Sequence, residues 1–240
     1  MYRVQKILSL LGVLSRRECE KKIKLGLVFV NNIPIDIGAS VSIGDTISFN
    51  NQDYVITEDL LNIDTKLLMY HKPIDEIVSR DDPQQRKSVF KNLPDIFGKW
   101  INVGRLDYKT SGLMLFTNNG DIANKLMHPS SNIKRTYEVI IKGTFDRSKI
   151  QLSMDGIKIG NSEIGKFINV LTDNLSPNKF QVQLMTGKNR EVRRIFEKLD
   201  CRVVSLKRIS YGDISLGDLK YKSYRYIDPV SYTHLTLPTN

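Results

Sequence analysis

Apolar residues in this chain come in short runs cut by turn residues, and no other feature of the sequence restricts the fold as much. Residues 66–70, 113–117, 137–141, 180–185 and 203–209 each read as a strand of alternating or continuous apolar character. Lys72-Pro73 breaks the first of them. Asn118-Asn119-Gly120 supplies a turn, and residues 121–127 form a short helix opened by an N-cap-like Asp121. Between residues 190 and 199 the period changes, because Val192, Ile195, Phe196 and Leu199 recur at three- and four-residue steps along one helix face. Strands outnumber helices and join mostly through turns, without a βαβ repeat. The expected class is therefore α+β with a mixed or antiparallel sheet.

The first stretch has its own pattern. Val4, Ile7, Leu8 and Leu11 follow helical spacing up to Gly12. Ser15-Arg16-Arg17-Glu18 then reads as a capping box, and a second helix carries Cys19 and Ile23 inward until Gly26 stops it. Val28 and Val30 begin a strand, Asn31-Asn32 turns the chain, and Gly44-Asp45 marks another turn before Ile47 and Phe49. We expect a small helix-and-strand module over residues 1–60, joined through a polar, acidic linker at 57–65, to a larger domain over 61–229. Residues 230–240 contain no Lys, Arg, Asp or Glu and are expected to be a tail outside the fold.

Composition removes several function classes. With 240 residues, 40% hydrophobic and 26% charged, the chain can bury a core without disulfides or metal. No apolar run approaches the ~18 residues of a membrane span, and the N-terminus lacks a secretion signal, so a cytoplasmic location is expected. Cys19 and Cys201 stand far apart and His71, His128 and His234 are scattered, which speaks against a disulfide framework and a metal site. Motifs for nucleotide-binding loops, zinc proteases and serine hydrolases do not occur, so no cofactor is expected.

The net charge of +10 is unevenly placed. Residues 1–31 carry seven Lys/Arg against two Asp/Glu, residues 32–60 carry none against five, and residues 61–240 supply the excess. Within the last stretch, 188–208 concentrates eight basic and three acidic residues. Two basic segments so far apart suit two contacts on one polyanion, or two unrelated solvated faces.

Three stretches can carry chemistry. Gly104-Arg105-Leu106-Asp107-Tyr108-Lys109-Thr110-Ser111-Gly112-Leu113 sets one carboxylate among cations and hydroxyls just before an apolar strand. Nearby cations would keep such a carboxylate ionised, as a nucleophile or base requires. On spacing alone, Asp107 can equally cap a turn through the Thr110 amide, with Arg105 as its surface partner. Gly187-Lys188-Asn189-Arg190-Glu191-Val192-Arg193-Arg194 opens the amphipathic helix. With Val192 inward, Arg193 and Arg194 flank its edge, where they reach phosphates, reach a buried carboxylate, or stand in solvent. Lys134-Arg135-Thr136-Tyr137 enters a strand, where Tyr137 can stack on an unpaired base or cover the edge of the core.

Read in order, GRLDYKTSGL, KRTYEV and GKNREVRR make the chain resemble a pseudouridine synthase of the RsuA/RluB type over about residues 2–228. LLMYHKP, SRDDPQQRKSVF and LMHPS are most similar to the large-subunit ribosomal RNA synthase B branch, and the N-terminal stretch resembles an S4 RNA-binding domain. The resemblance implies Asp107 as the catalytic carboxylate, Tyr137 as the ring on the target base, and Arg193 as the aspartate's partner. It further implies that Arg3, Lys6, Arg16, Arg17, Lys21, Lys24, Arg105, Lys134, Arg135, Lys188, Arg190 and Arg194 meet ribosomal RNA. It implies a reaction that needs neither metal nor cofactor; a monomer is expected. The uridine would flip out of its stack, lose its bond to the sugar, and rejoin through C5. Asp75 stands where this branch usually has glycine, and Lys87 where proline is common. The alternative is a non-catalytic RNA-binding or ribosome-assembly protein of the same fold. Asp107 lying beyond ~4 Å from any cation, with no pocket beside it, would favour that alternative.

Overall fold

The structure is a computed structural model and describes residues 1–160, 162–173 and 175–228. The uncharged stretch 230–240 lies outside the described residues. In chain order the elements are β1 (Tyr2–Arg3), α1 (Val4–Leu10), α2 (Arg16–Lys24), β2 (Val28–Val30), β3 (Ile33–Pro34), β4 (Ser40–Val41), β5 (Thr46–Phe49), β6 (Gln52–Val55) and α3 (Glu58–Leu61). There follow β7 (Leu67–Lys72), β8 (Ile101–Val103), β9 (Ser111–Thr117), α4 (Gly120–Met127), β10 (Arg135–Lys142), α5 (Arg147–Asp155), β11 (Ile157–Gly160), β12 (Glu163–Gly165) and β13 (Asn169–Thr172). The chain continues through β14 (Lys179–Leu184), α6 (Glu191–Lys198), β15 (Arg202–Tyr211), β16 (Ile214–Ser215) and β17 (Tyr224–Ile227). Helices and a mixed sheet make this an α+β protein, as the pattern of short strands implies.

Two compact units emerge. One contains Met1–Lys66 with Pro94–Ile101 and Thr117–Gly120, and the other contains Leu67–Leu93, Asn102–Phe116 and the chain from Asp121 onward. In the first, the capping box forms: the Glu18 amide donates to Ser15 Oγ at 3.2 Å, and the Ser15 amide donates to the Glu18 carboxylate at 2.8 Å. Helices α1 and α2 turn Val4, Ile7, Leu8, Cys19 and Ile23 onto Val28, Val41 and Ile47 of the strands. Asn31 and Asn32 both take positive φ, the geometry that closes the β2–β3 hairpin with the strands' own twist. The stretch expected to be a linker is partly folded. Thr57 caps α3, and Leu60 and Leu61 pack on the core, so burial overrides the polar composition around them.

The second unit is built on a nine-stranded sheet whose path runs β13-β14-β10-β15-β9-β7-β17. The β15–β9 pair is parallel, while β10 pairs antiparallel with both β14 and β15. Every residue of β7 and β9 is buried. On one face, Val192, Ile195, Phe196 and Leu199 of α6 meet Val139, Ile141, Phe180, Val182 and Leu206 of the strands. Phe145, Phe167, Phe180 and Phe196 close this core through ring contacts of 4.8 to 5.4 Å. Strand β7 runs two residues further than its apolar run suggests, because Lys72 finds acceptors inside the protein. Helix α4 begins at Gly120, which puts Asp121 in its first turn rather than at the cap, where its charge still complements the helix dipole.

Burial sets the two cysteines apart from redox chemistry: the Cys19 thiol is pushed up to about 11, and that of Cys201 is also raised. No helix of the described residues is long and apolar enough to cross a membrane. The capping box supplies a test of the N-terminal unit. Ser15→Ala is expected to cost about 1 kcal/mol of stability, read as a lower urea midpoint with unchanged slope.

Candidate active site

The Asp107 loop is placed by backbone packing. Lys207 and Arg208 of β15 stand opposite Ser111 and Gly112 of β9, and Arg208 also stands opposite Tyr137 of β10. Gly112, Arg208 and Tyr137 therefore lie in one row across three strands, which sets Tyr137 about 10 Å from Gly112 at ordinary strand spacing. Only glycine permits the row. Gly112 has φ +112°, and a Cβ there would lie 2.2 Å from the Arg208 carbonyl oxygen. Ile209 is left over by a register shift between Thr136 and Tyr137, and such a bulge re-aims the side chains beside it. Tyr137 itself is half-buried at the rim of the α6 core.

Two buried cations grip the backbone of the same motif. Lys72 is fully buried, and its Nζ donates to the carbonyls of Pro73 (2.8 Å), Asp107 (3.2 Å) and Thr110 (2.8 Å). Arg208, 2% exposed, donates through Nε to the Leu113 carbonyl at 2.7 Å. Carbonyl groups at 107, 110 and 113 are thus held from the two strands that flank β9. Burial brings the Lys72 ammonium down to about 8, against the pull of the carboxylates of Glu76, Asp107 and Asp75. The sequence reading missed Lys72 as a functional side chain. Its signal was a lysine closing a strand that is otherwise apolar and aromatic.

Arg193 comes to the loop but not to the carboxylate. Its Nη2 donates to the Lys109 carbonyl at 2.8 Å and its Nη1 to the Val203 carbonyl at 3.3 Å. Among the described residues, no ion pair within 4 Å involves the Asp107 carboxylate, so the expected contact pair with Arg193 is replaced by a hold on the backbone. Arg193 still senses that charge: burial lowers its hold on the proton, Arg190 adds to this, and Asp107 opposes both. Arg193 Nε and the Thr110 hydroxyl oxygen are buried without a hydrogen-bond partner in the structure. The Asp107 carbonyl accepts from the Thr110 amide at 3.0 Å, a turn made by backbone rather than by the carboxylate.

Asp75 explains the glycine usual at its position in the family that the sequence resembles. It has φ +65°, its amide donates to the Tyr108 carbonyl at 2.8 Å, and its carboxylate takes Lys109 Nζ at 2.9 Å. The chain accepts a strained aspartate and gains a tie to the residue that Arg193 also holds.

The remaining expected contacts divide. Arg105, Lys134 and Arg190 are exposed. Arg135 is drawn inward, donating to the Met185 carbonyl at 2.7 Å and to the Tyr211 hydroxyl at 3.1 Å. Arg194 clasps the β11–β12 hairpin through the Ile159 and Gly160 carbonyls and the Glu163 carboxylate at 2.6 Å. Lys188 Nζ donates to the Ile164 carbonyl. These three cations are committed to acceptors within the protein. Glu191 is also interior, accepting from the Thr186 hydroxyl at 2.6 Å and the Lys188 amide at 3.0 Å, and so fixes the turn before α6. In the N-terminal unit, Arg3, Lys6, Arg16, Arg17, Lys21 and Lys24 are all exposed along the helical part.

The recesses found at Ile23–Ile37 and at Met69–Tyr226 are not lined by the Asp107 motif. The lack of a contact cation at Asp107 among the described residues meets one of the two conditions expected of a binder. Relationship to known proteins decides the matter. The sequence profile of RNA pseudouridylate synthases matches residues 66–198, and that of the S4 domain matches residues 3–47. The chain belongs to the RNA pseudouridylate synthase family. It is an isomerase with an N-terminal S4 domain. It is 41% identical over 225 residues to a protein of Vibrio vulnificus named ribosomal large subunit pseudouridine synthase B, with 89% of this chain and 68% of the relative covered. A protein of the same name from Buchnera aphidicola is 37% identical over 248 residues, covering 98% of this chain and 96% of the relative. A crystal structure of a pseudouridylate synthase shares the fold, with TM-score 0.68 and 24% identity over 98% of this chain and 100% of that one.

The depressed Lys72 value has a consequence for stability. The unfolded lysine keeps its proton up to about 10.5, whereas the folded one releases it near 8. Between those pH values the unfolded state binds more protons, so this residue makes the fold gain stability as pH rises, by roughly 3 kcal/mol across the window. Denaturant titrations of wild type and Lys72→Met at pH 7, 8.5 and 10 are expected to show that gain in wild type only.

Proposed function

We propose that this enzyme converts a uridine of large-subunit ribosomal RNA to pseudouridine, with Asp107 as the catalytic carboxylate. The observation that carries the reading is the Gly112–Arg208–Tyr137 row, which sets an aromatic ring two strands from the Asp107 loop. The names of its relatives support the ribosomal RNA substrate. In this reading the carboxylate has no contact cation because it must engage the uridine. It attacks C1′ or the base, or it promotes elimination at the sugar, while Lys72 and Arg193 hold the backbone of its loop. Tyr137 stacks on the released uracil while it rotates and bonds to C1′ through C5, after which the C5 proton is lost to solvent and N1 takes one up. Arg193 positions the loop through Lys109, and its Nε and the Thr110 hydroxyl are donors that the flipped nucleotide or its phosphate can satisfy.

Exposed Arg105, Lys134 and Arg190 hold the RNA backbone beside the target. Arg3, Lys6, Arg16, Arg17, Lys21 and Lys24 hold it through the S4 domain. We assign residues 1–60 to that domain and 61–229 to the catalytic domain, and we place the protein in the cytoplasm as a monomer.

Asp107→Asn removes the charge but keeps the shape. The purified variant is expected to bind ribosomal RNA as wild type does and to form no pseudouridine in RNA from cells lacking the enzyme. Modification at the wild-type rate would remove Asp107 from the mechanism. Arg16→Ala combined with Arg17→Ala is expected to weaken RNA binding and to reduce the log–log salt slope by up to about one per lost phosphate contact. An unchanged slope would mean that this helix pair faces solvent.

A further inference from the structure

Far along the chain from the catalytic motif, the last described segment alternates basic and aromatic side chains: Lys220, Tyr221, Lys222, Ser223, Tyr224, Arg225, Tyr226. Buried tyrosines would need no comment, but these are not buried. Tyr221 is 57% exposed, Tyr224 42% and Tyr226 47%. Strand β17 ends the sheet path beside β7, the strand that carries His71 and Lys72.

Tyr221 is held flat. Its ring stacks on that of His71 with centroids 4.1 Å apart and planes 30° from parallel. Backbone bonds fix the two segments, since the Lys222 amide donates to the His71 carbonyl at 2.9 Å and the His71 amide to the Ser223 carbonyl at 3.0 Å. His71 Nδ1 lies 2.6 Å from the Leu219 carbonyl and so carries the proton, while Nε2 is a buried acceptor without a partner in the structure. Burial lowers the imidazole's pKa, the bond to the Leu219 carbonyl opposes this, and the charge of Lys207 adds to the lowering. Lys207 Nζ stands 5.7 Å from the Tyr221 ring centre. The same lysine is opposite Ser111, the residue that ends the Asp107 loop and starts β9.

The parts are those of a single-strand nucleic-acid platform: an exposed aromatic face, ordered in advance, with cations on its border. Arg225 contributes less, because Asp218 pairs with it at 3.1 Å. We propose that Tyr221, seated on His71, bordered by Lys207 and followed in the chain by the exposed Lys222, stacks an unpaired nucleotide that flanks the target uridine. The inference rests on the reading of the chain as an RNA-modifying enzyme. Single-stranded RNA is the occupant that the chemistry favours. The ring accepts any base, the cations suit a phosphate backbone, and the strand opened around a flipped uridine presents both. Tyr224, in edge contact with Tyr226 at 6.2 Å, continues the aromatic surface along β17.

The test uses the full chain and two probes, fluorescein-labelled dodecauridylate and a twelve-base-pair RNA duplex, followed by anisotropy. Tyr221→Ala is expected to weaken dodecauridylate binding by about tenfold or more and to leave the duplex affinity unchanged. Tyr221→Phe and Tyr221→Trp should bind like wild type, because stacking needs the ring and not the hydroxyl. Lys222→Gln should reduce the salt slope, whereas Tyr221→Ala should leave it alone. Equal dodecauridylate affinity in Tyr221→Ala and wild type would overturn the proposal, as would equal losses in the Ala, Phe and Trp variants. Pseudouridine formation by wild type on ribosomal RNA, measured in parallel, reports on the enzymatic reading by itself. If that fails while dodecauridylate binding still depends on the Tyr221 ring, the platform stands without the assigned reaction.

Discussion

The structure of the catalytic unit depends on one close approach of two backbones, where β9 meets β15 at Gly112. A parallel pair in a sheet otherwise dominated by antiparallel pairing puts the start of β9 against the middle of β15. A side chain at residue 112 would collide with the Arg208 peptide, so any other residue would push the strands apart. Once they are together, the loop that ends at Ser111 must emerge beside Arg208, and the antiparallel neighbour β10 must present Tyr137 in the same row. The spacing between the Asp107 loop and Tyr137 follows from sheet register, which is strongly specified wherever a sheet face is buried.

Around that row the chain uses buried cations in an uncommon way. Among the described residues, Lys72 and Arg208 have no carboxylate in contact, and both donate to peptide carbonyls of the Asp107 motif. In the proposed reaction, pairing either one with Asp107 would tie up the carboxylate. Neutral carbonyls hold the cation, the cation holds the loop, and the Asp107 carboxylate is left out of both contacts. Burying an ammonium in this manner lowers the lysine's pKa, which is a standing cost in stability near neutral pH. Arg193 repeats the logic from α6 by gripping the Lys109 carbonyl. The Asp75–Lys109 pair adds a fourth tie, at the expense of a left-handed aspartate.

Much of this was legible in the chain, and the reasons differ by element. Helices α2 and α6 were read from side-chain period and from Ser15 and Glu18, which are local signals that need no tertiary partner. The strands near residues 113, 137, 180 and 203 declared themselves by continuous or alternating apolar runs. The hairpin β11–β12, the edge strand β17 and the short α3 did not, because each element is only three or four residues long and gains its structure from Arg194, from β7 or from the N-terminal core. Asp107, Tyr137 and Arg193 were chosen by motif. The motif could not say that Arg135 and Arg194 turn inward, since spacing along a chain does not reveal which carbonyls lack partners.

By itself, then, the sequence determined the class of fold, the S4-like helix pair, the ten-residue motif around Asp107, and an excess of positive charge suited to RNA. Those are properties of local order and composition, and water reads them the same way in any context. Only the tertiary structure decided that Lys72 belongs to the site, that Arg193 holds the loop rather than the carboxylate, and that Tyr221 lies flat on a buried histidine beside β9. Each of these depends on residues far apart in the chain meeting across a sheet. The register that brings them together is set by the sum of buried side chains and one glycine, and no single segment encodes it.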